Sequence, residues 1–348
     1  MSIEASIIGV GIMGKAVAQS LRHNPEVKLC AVSDLSEDSL KTLAEEFPDA
    51  KCFADYRRML DECKPDVAFI ATPDWAHRDP VMECLARGIH VHVEKPLTTD
   101  EGEAAEIVAE VRRSGLKLQV SYNHRWLAPY YATFEKIRGG KLGNPLIGYA
   151  RKNNPITVPT EMLASWAKDS SPLWFQSSHD IDLMCWWFDD TPVEVTCRGV
   201  KKVLKEQLGW DTYDGLQGLV TFARGGVATF EAAWVYPPTH PAMPDSFMSV
   251  VCEHGHLQID RKDEAIEMSD PDRFSWPRSF LNAKVFDRWV GAFPSCINSF
   301  IDAVRDDREP FVTALDGWRV TAVLEAMHRS ADTGETVKVA DLPRRTSP

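Results

Sequence analysis

The sequence lacks several features that would place it in a specialised class of protein. No stretch approaches the ~18 consecutive apolar residues of a membrane span. The N-terminus, MSIEASIIGVG, carries an acid at Glu4 and has no basic leader region. None of the eight cysteines forms a C-x-x-C pair, and most lie in apolar runs, which is typical of buried, reduced thiols. We therefore predict a cytoplasmic protein without disulfides.

Positive charge is also scarce. Lysine and arginine number 39 against 51 aspartates and glutamates, which gives a net charge of −12 over 348 residues. A surface of that sign repels phosphate backbones and argues against a nucleic-acid partner. Hydrophobic residues make up 44% of the chain, as in ordinary globular proteins. At roughly 150 residues per domain, the length corresponds to about two domains.

Residues 1–124 alternate short apolar runs with helical stripes. Met13, Val17 and Leu21 are four residues apart, as on one face of a helix, and they follow the apolar run 6–10. Similar runs recur up to residue 122. This alternation predicts α/β architecture, with a doubly wound parallel sheet in the order 3-2-1-4-5-6. We predict a Rossmann domain over residues 1–124.

From residue 125 the sequence pattern changes. Strand-like runs are less regularly separated by helices, and ten of the eleven tryptophans lie in this part. We predict an α+β domain over residues 125–348, with an open, mostly antiparallel or mixed sheet. Helices are expected near residues 179–188, 296–305 and 315–329. Residues 343–348 are expected to be frayed.

A glycine-rich turn follows the first apolar run. The segment Gly9-Val10-Gly11-Ile12-Met13-Gly14 has the pattern G-x-G-x-x-G between a predicted strand and a predicted helix, which favours dinucleotide binding. Gly9 permits the tight turn, Gly11 lets the backbone approach a pyrophosphate, and Gly14 lets the helix pack on the strand. The anion would then bind the free N–H groups of the helix N-terminus. The alternative is a tight turn without a ligand.

Asp34 ends the second predicted strand, 20 residues after Gly14. A carboxylate at that position accepts hydrogen bonds from the ribose hydroxyls and repels a 2′-phosphate. No arginine follows directly in Asp34-Leu35-Ser36-Glu37, so we predict NAD in preference to NADP. The alternative is that Asp34 caps the next helix, a role for which Ser36 competes.

Polar residues follow four of the predicted strands at their carboxyl ends: Asp34, Thr72-Pro73-Asp74, Glu94-Lys95-Pro96 and Asn123-His124-Arg125. Parallel strands bring these ends to one edge of the sheet, where ligands of open sheets bind. Lys95 is the best catalytic candidate, because partial burial depresses the pKa of an ammonium and lets it exchange a proton or stabilise an alkoxide. The alternative is a surface ion pair between Glu94 and Lys95. Asp74 could cap a helix that ends near Gly88.

His179 begins a predicted apolar helix in Ser177-Ser178-His179-Asp180-Ile181-Asp182. Asp182 is three residues further on, shares the helix face and could orient the imidazole and raise its basicity. The alternative is a capping or core histidine. His254 and His256 form H-x-H without a third ligand nearby in the sequence, so we predict no metal site.

Taken together, these motifs resemble those of the glucose–fructose oxidoreductase, inositol dehydrogenase and MocA (Gfo/Idh/MocA) family. The resemblance covers nearly the whole chain. It rests on Gly9–Gly14, Ala71-Thr72-Pro73 with His77, Glu94-Lys95-Pro96, the helix from His179 to Asp182, and the C-terminal pieces Phe300-Ile301-Asp302-Ala303, Asp316-Gly317, Glu325-Ala326 and Ser330-Ala331. Of these, Glu94-Lys95-Pro96 is the most specific.

The resemblance implies a pyridine nucleotide, a sugar or polyol substrate, and a homodimer or homotetramer that associates through the open sheet face. It also implies that Lys95 and His179 are catalytic and face the nicotinamide. The residues expected to contact the cofactor are Gly9, Gly11, Ile12, Met13, Gly14, Asp34, Thr72, Pro73, His77, Glu94, Lys95 and Asn123. The residues expected to contact the substrate are His124, Arg125, Trp166, Trp174, Gln176 and His179. For the two tryptophans, ordinary packing is the alternative.

One position departs from the family's pattern. Many family dehydrogenases carry an aspartate four residues before the histidine, and here Phe175 stands there. A phenyl ring cannot relay a proton, so either Lys95 and His179 suffice, or Gln176 or Asp182 assists, or the chemistry differs.

We predict an NAD-dependent oxidoreductase that transfers hydride between a secondary alcohol of a sugar, glycoside or cyclic polyol and the nicotinamide. Two alternatives stay open. One is an enzyme that retains its cofactor and performs hydrolysis, elimination or epimerisation through a transient keto sugar. The other is a non-catalytic regulator that binds the nucleotide.

Overall fold

The computed structural model describes residues 2–164, 166–340 and 342. The frayed end expected for residues 343–348 lies outside the described residues. By internal contacts the chain forms two compact units. The first combines the chain up to Asn123 with Asn282–Trp318, and the second combines His124–Leu281 with the chain from Arg319 onward. The division after residue 124 follows sequence order alone and stays a prediction about domains.

The elements are numbered in chain order. The strands are β1 (Ile3–Ile8), β2 (Val27–Ser33), β3 (Lys51–Phe53), β4 (Val67–Ile70), β5 (His90–Val93), β6 (Leu118–Val120), β7 (Pro145–Pro155), β8 (Pro192–Val200), β9 (Gly215–Phe222), β10 (Val227–Tyr236), β11 (Asp245–Cys252), β12 (Gly255–Asp260), β13 (Met268–Ser269), β14 (Phe274–Ser275), β15 (Ala283–Val285), β16 (Arg288–Val290) and β17 (Val337–Lys338). The helices are α1 (Ile12–Leu21), α2 (Glu37–Glu46), α3 (Tyr56–Cys63), α4 (Arg78–Ala86), α5 (Glu101–Ser114), α6 (Ala128–Arg138), α7 (Ser178–Phe188), α8 (Val203–Leu208), α9 (Ala292–Arg305) and α10 (Ala314–Thr333).

The first unit is built on a six-stranded parallel sheet in the order β3-β2-β1-β4-β5-β6. The predicted order 3-2-1-4-5-6 is therefore confirmed. The third strand of that order and helix α3 were not located in the sequence, because β3 has only three residues and α3 buries only Met59 and Leu60. The Rossmann-type sheet brings the carboxyl ends of its strands to one edge.

Local side-chain chemistry sets the helix ends. Asp100 caps α5 by accepting a hydrogen bond from the Glu103 N–H at 2.9 Å. Gly115 ends that helix with a left-handed backbone, φ +70°. The expectation that Asp74 caps the helix that ends near Gly88 was wrong. A short 3₁₀ turn spans Asp74–Ala76, α4 begins only at Arg78, and the Asp74 carboxylate accepts from the neighbouring Trp75 N–H.

Helix α9 completes the core of the first unit from far along the sequence. Its apolar side chains, including Phe300 and Ile297, join those of β1, β4 and α1 in one buried cluster. The Phe300 ring meets Phe69 edge to face, with centroids 5.9 Å apart. On the sheet, the Gln119 amide donates to the Cys296 carbonyl oxygen at 2.9 Å. Residues 282–318 therefore belong, by packing, with the first 123.

The second unit contains a seven-stranded mixed sheet in the order β12-β11-β7-β10-β9-β8-β17. Strands β10 and β7 are parallel, and the other neighbours are antiparallel. The predicted α+β class with a mixed sheet is confirmed. Helix α6 was not predicted, and neither was α8, which begins soon after β8 ends at Val200.

Helix α7 packs on one face of this sheet. A Cβ on Gly148 of β7 would lie 2.9 Å from the Met184 sulfur, so the absence of a side chain lets the helix come close. The other face carries exposed apolar side chains, among them Ile147, Leu219 and Val251.

Among the described residues, no helix combines the length and the apolar character needed to cross a bilayer.

Candidate functional site

The glycine-rich turn between β1 and α1 is shaped by two close approaches. Gly9 has φ +89°, and a Cβ there would lie 2.6 Å from the carbonyl oxygen of Ala71. A Cβ on Gly14 would lie 1.9 Å from the carbonyl oxygen of Gly9. Around Gly11, by contrast, nothing lies within 4 Å of the Cβ position. The turn therefore needs glycine at 9 and 14, and its backbone at 11 is open to a ligand.

Asp34 connects this turn with the end of β2. Its Oδ2 accepts a hydrogen bond from the Val10 N–H at 2.7 Å, and its Oδ1 accepts from the Ser36 N–H at 2.8 Å. The cap of α2 is Ser36, whose hydroxyl accepts from the Ser39 N–H at 3.2 Å. The alternative role of Asp34 as that cap was therefore wrong. Each carboxylate oxygen can still accept a further bond.

The residues of this edge fit a dinucleotide. Gly11 is the N-cap of α1, contributes no side-chain cap, and no acid lies in the first turn, which suits a pyrophosphate. The Ile12 side chain is 63% exposed beside the turn, whereas Met13 packs against the core. At the end of β6, the buried amide oxygen Oδ1 of Asn123 has no hydrogen-bond partner among the described residues. It can accept a bond from a ligand amide.

His77 links two loops of the same edge. Its Nδ1 lies 2.8 Å from the carbonyl oxygen of Pro96, and its Nε2 lies 3.0 Å from that of Thr72. The ring is buried, and burial lowers the pKa of His77 while the two carbonyl oxygens oppose the shift. Because backbone carbonyls face both ring nitrogens, we expect His77 to hold the loops that carry Thr72-Pro73 and Lys95.

Lys95 follows β5 at this edge and is partly buried. Burial lowers its pKa below the usual range of a lysine, and the carboxylates of Glu94 and Asp74 oppose that shift. Glu94 is itself buried, which raises its pKa, and Lys95 opposes the rise. An exposed surface pair, the alternative weighed for these residues, does not describe this environment. An ammonium here can donate a hydrogen bond or lose its proton more readily than in water.

The second unit has its own buried polar cluster, centred on two stacked histidines. The rings of His124 and His179 are nearly parallel, at 12°, with centroids 4.0 Å apart. Both are at most 9% exposed. Two imidazolium charges at that separation would repel by roughly 4 kcal/mol at an effective dielectric constant of ~20. We therefore expect at most one of the two rings to be an imidazolium at any time.

Lys152 and Asp180 form a buried ion pair next to these rings, which the sequence analysis missed. The Lys152 Nζ lies 2.6 Å from Oδ1 of Asp180 and 3.5 Å from Nδ1 of His124. Burial lowers the pKa of Lys152 to about 8, and Asp180 opposes the shift. Burial likewise raises the pKa of Asp180, and Lys152 opposes it. The available signal was the polar run Arg151-Lys152-Asn153-Asn154, which follows the apolar first half of the same strand.

Asp182 is held by an arginine. The Arg125 Nε donates to Oδ2 of Asp182 at 2.9 Å, and Nη2 donates to Oδ1, in a bidentate pair. The two side chains are 5% and 1% exposed. The Arg125 guanidinium also lies 5.1 Å from the centre of the Trp186 ring. The carboxylate expected to orient His179 thus positions Arg125.

Gln176 is fixed on both sides of its amide. Its Nε2 donates to the carbonyl oxygen of Ala233 at 2.8 Å, and its Oε1 accepts from the Asn154 amide. This buried amide joins β10 to the end of β7. Its role as a substrate ligand stays a prediction.

Two tryptophans named as substrate residues pack on neighbouring rings. Trp166 meets Phe175 edge to face, with centroids 6.1 Å apart, against a buried apolar cluster. Trp174 stacks on His328, with centroids 5.0 Å apart and planes at 10°. These contacts favour the packing alternative, and contact with a substrate stays a prediction for both.

A third group of charges flanks the histidine pair. Glu264 accepts hydrogen bonds from the N–H groups of Ser279 and Phe280, both at 2.7 Å, and from Arg261 at 2.6 Å. Burial of Glu264 opposes ionisation, but these donors prevail and lower its pKa to about 2. Arg278 lies 3.5 Å from the same carboxylate.

Within the described part of the chain, no group of three or more potential ligands could hold a metal ion.

Both parts of the chain match domains of one known protein family. Residues 3–122 match the oxidoreductase family with an NAD-binding Rossmann fold, and residues 135–339 match the C-terminal alpha/beta domain of the same family. The chain belongs to the Gfo/Idh/MocA oxidoreductase family. The resemblance inferred from the motifs is therefore confirmed, as is the combination of a Rossmann domain with an α/β domain carrying a mixed sheet.

Individual relatives of the Gfo/Idh/MocA family are distant but match over nearly the full length. Inositol 2-dehydrogenase 1 of Mycolicibacterium vanbaalenii is 26% identical, over 99% of this chain and 98% of that protein. The uncharacterized oxidoreductase YrbE of Bacillus subtilis is 25% identical, over 97% and 96%.

Solved structures agree in fold. Myo-inositol 2-dehydrogenase of Lactobacillus plantarum has a TM-score of 0.85 at 21% identity, covering 97% of this chain and 100% of that one. Scyllo-inositol dehydrogenase of Lactobacillus casei, crystallised with NAD(H) and scyllo-inositol, has a TM-score of 0.84 at 20% identity, covering 98% and 100%.

Proposed function

We propose that this Gfo/Idh/MocA protein is an NAD-dependent dehydrogenase that oxidises a secondary alcohol of a sugar, glycoside or cyclic polyol, or reduces the corresponding ketone. The observation that carries the proposal is Lys95. It is a partly buried ammonium of lowered pKa, at the carboxyl edge of the nucleotide-binding sheet of an oxidoreductase. Such a group suits the stabilisation of a developing alkoxide.

The roles of the chain's residues follow from their chemistry. The turn of Gly9, Gly11 and Gly14 and the first turn of α1 would hold the pyrophosphate of NAD, and Asp34 would accept from the adenosine ribose. When bound, the nicotinamide supplies a hydride acceptor or donor. His179 accepts the hydroxyl proton, and Lys95 donates a hydrogen bond to the alkoxide oxygen as that proton leaves.

The names of the relatives support the substrate class. The M. vanbaalenii relative is an inositol 2-dehydrogenase, and the L. casei neighbour was crystallised with NAD(H) and scyllo-inositol. A ring alcohol with several hydroxyls needs donors and acceptors besides the reacting pair. Arg125, His124 and Gln176 are the polar candidates for those contacts in the second unit.

A panel of substrates tests the proposal directly. The purified protein is mixed with inositol isomers, hexoses, hexose glycosides and their keto forms, each with NAD(H) or NADP(H), and absorbance at 340 nm is followed. We expect oxidation of at least one polyol or sugar, with NAD preferred over NADP. A protein that binds NAD but turns over none of these compounds would contradict the dehydrogenase assignment.

Cofactor preference depends on the charge of Asp34. Asp34→Asn keeps an acceptor for the Val10 N–H but removes the charge that repels a 2′-phosphate. We expect kcat/KM with NAD to fall by about 10- to 100-fold, as for loss of a charged hydrogen bond, and NADP to be used relatively better. Asp34→Ala should show the same direction with lower stability. An unchanged NAD/NADP ratio in both variants would remove Asp34 from the ribose site.

A second candidate function is favoured by Phe175. Its phenyl ring packs in an apolar cluster with Trp166, in the place where a proton-relaying aspartate is expected from the resemblance. An enzyme that retains NAD and performs hydrolysis, elimination or epimerisation would suit such a change. It requires NAD to copurify with the protein and turnover to proceed without added nucleotide.

We also propose that copies of the chain associate as a homodimer or homotetramer through the exposed face of the mixed sheet. Ile147 of β7 lies directly opposite Val251 of β11, and both are more than 40% exposed. Apolar neighbours on one open face support such an interface. Sedimentation equilibrium measures the assembly size.

A further inference from the structure

The second unit contains a buried ion pair of Lys152 with Asp180. Buried ion pairs recover at best part of the cost of removing both charges from water, and apolar pairs of similar volume are often as stable. Its position suggests another reason for it, because Lys152 lies on β7, with its ammonium 3.5 Å from Nδ1 of His124. His124 in turn stacks on His179, the group assigned as the proton acceptor.

An ammonium has three N–H donors and no acceptor. While Lys152 is an ammonium, its contact with Nδ1 of His124, at 3.5 Å, makes Nδ1 the acceptor and leaves the ring proton on Nε2. A histidine in that form is neutral. The environment of His124 also favours the neutral ring. Its pKa is lowered well below the usual value, chiefly by burial and to a lesser extent by the nearby charges of His179, Lys152, Arg261 and Arg278.

Titratable or charged side chains from several elements lie around His124. They are Tyr130 of α6, Lys152 of β7, His179 and Asp180 of α7, and Arg261 and Arg278 after β12. Among the described side chains with a formal positive charge, it is Lys152 whose ammonium contacts a ring nitrogen of His124. Asp180 keeps that cation in place at 2.6 Å.

We propose that Lys152 is a positioning residue for the reaction: by donating to Nδ1 it keeps His124 neutral, so that His179 alone of the stacked pair takes up the proton that the substrate hydroxyl releases. This inference rests on the proposed function for the role of His179. A neutral ring stacked on His179 accommodates the imidazolium that forms, whereas a charged one would oppose it. In this role Lys152 contacts neither the substrate hydroxyl nor the accepting nitrogen of His179, and it acts through His124.

The test compares the parent with Lys152→Met/Asp180→Asn, which removes both charges and avoids leaving Asp180 alone in the interior. The matched control is Arg151→Met/Asp245→Asn. It removes an ion pair of 3.1 Å from the neighbouring position of the same strand, where side chains point to the opposite face. Thermal unfolding followed by circular dichroism confirms that both variants fold.

The first readout is the protonation of the rings, independent of turnover. The full-length protein is labelled with ¹⁵N-histidine, and its ring nitrogen shifts are recorded from pH 5.5 to 8.5, with His124→Gln and His179→Gln used for assignment. In the parent and the control pair, we expect Nε2 of His124 to stay protonated and Nδ1 unprotonated throughout. In Lys152→Met/Asp180→Asn, one of the charges that lower the pKa of His124 is gone, so we expect Nδ1 of His124 to begin to take up a proton at the acid end of this range.

The second readout is the pH profile of kcat with the best substrate. We expect the acid limb to move up by about one pH unit in Lys152→Met/Asp180→Asn, so that kcat at pH 6 falls about tenfold while KM changes less than twofold. A merely structural pair would lower activity equally at every pH. A His124 that is doubly protonated in the parent, or unchanged in the variant, would overturn the inference. If the parent oxidises no alcohol, the proposed function fails, and the ring nitrogen shifts still decide the effect of Lys152 on His124.

Discussion

Lys95→Met is expected to lower kcat by about 10²- to 10⁴-fold, the usual contribution of a group that acts in proton transfer or alkoxide stabilisation. Methionine keeps most of the side-chain volume and the apolar contacts but can neither donate a hydrogen bond nor carry charge. NAD binding, measured by calorimetry, should change far less than kcat, because the pyrophosphate and ribose are assigned to Gly11 and Asp34.

A matched control for this change is Lys28→Met in the same unit. Lys28 is exposed on β2 and lies 3.3 Å from Glu4, a surface pair that contributes little. We expect kcat of Lys28→Met to stay within twofold of the parent. His179→Gln should show a loss of the same order as Lys95→Met. Turnover within a few-fold of the parent in either catalytic-site variant would show that its role was assigned wrongly.

Arg125→Met should destabilise the second unit by about 3–5 kcal/mol, because it leaves the buried carboxylate of Asp182 without its bidentate partner. Urea unfolding followed by tryptophan fluorescence measures the loss. The double variant Arg125→Met/Asp182→Leu should recover most of it, since removal of both charges leaves no uncompensated ion in the interior.

The chain offers an exposed pair for comparison. Arg138 and Asp189 lie 3.2 Å apart, but their side chains are 50% and 40% exposed. Arg138→Met should therefore cost less than about 1 kcal/mol. If the two arginine variants lost equal stability, burial would not be the cause of the effect at Arg125.

The first unit was largely predictable because its signals are local. Each strand of its sheet from β1 to β6, apart from β3, is an apolar run flanked by a helical stripe, and the handedness of crossovers then leaves few orders. The glycine pattern needs only six consecutive residues. The close approach of Gly14 to the carbonyl of Gly9 shows why only glycine suits that position.

The polar cluster of the second unit could not be predicted in the same way. Lys152 and Asp180 are 28 residues apart, and the stacked rings of His124 and His179 are 55 residues apart. Neither separation is one that a single helix or a tight hairpin brings into contact. Whether these side chains touch therefore depends on how β7 and α7 pack. Asp182 shares a helix face with His179, as predicted, but the spacing alone could not show that Arg125 occupies its carboxylate.

The position of α9 has a consequence for how this protein is made. Phe293, Ile297 and Phe300 cover apolar residues of a sheet whose last strand ends at Val120. A ribosome therefore releases all six strands of that sheet long before it has made the helix that covers them. During that interval the nascent sheet exposes Phe69 and its neighbours to solvent and to chaperones. The nucleotide-binding unit reaches its final core only after residues 292–305 have been translated, more than 170 residues after the last strand of that sheet.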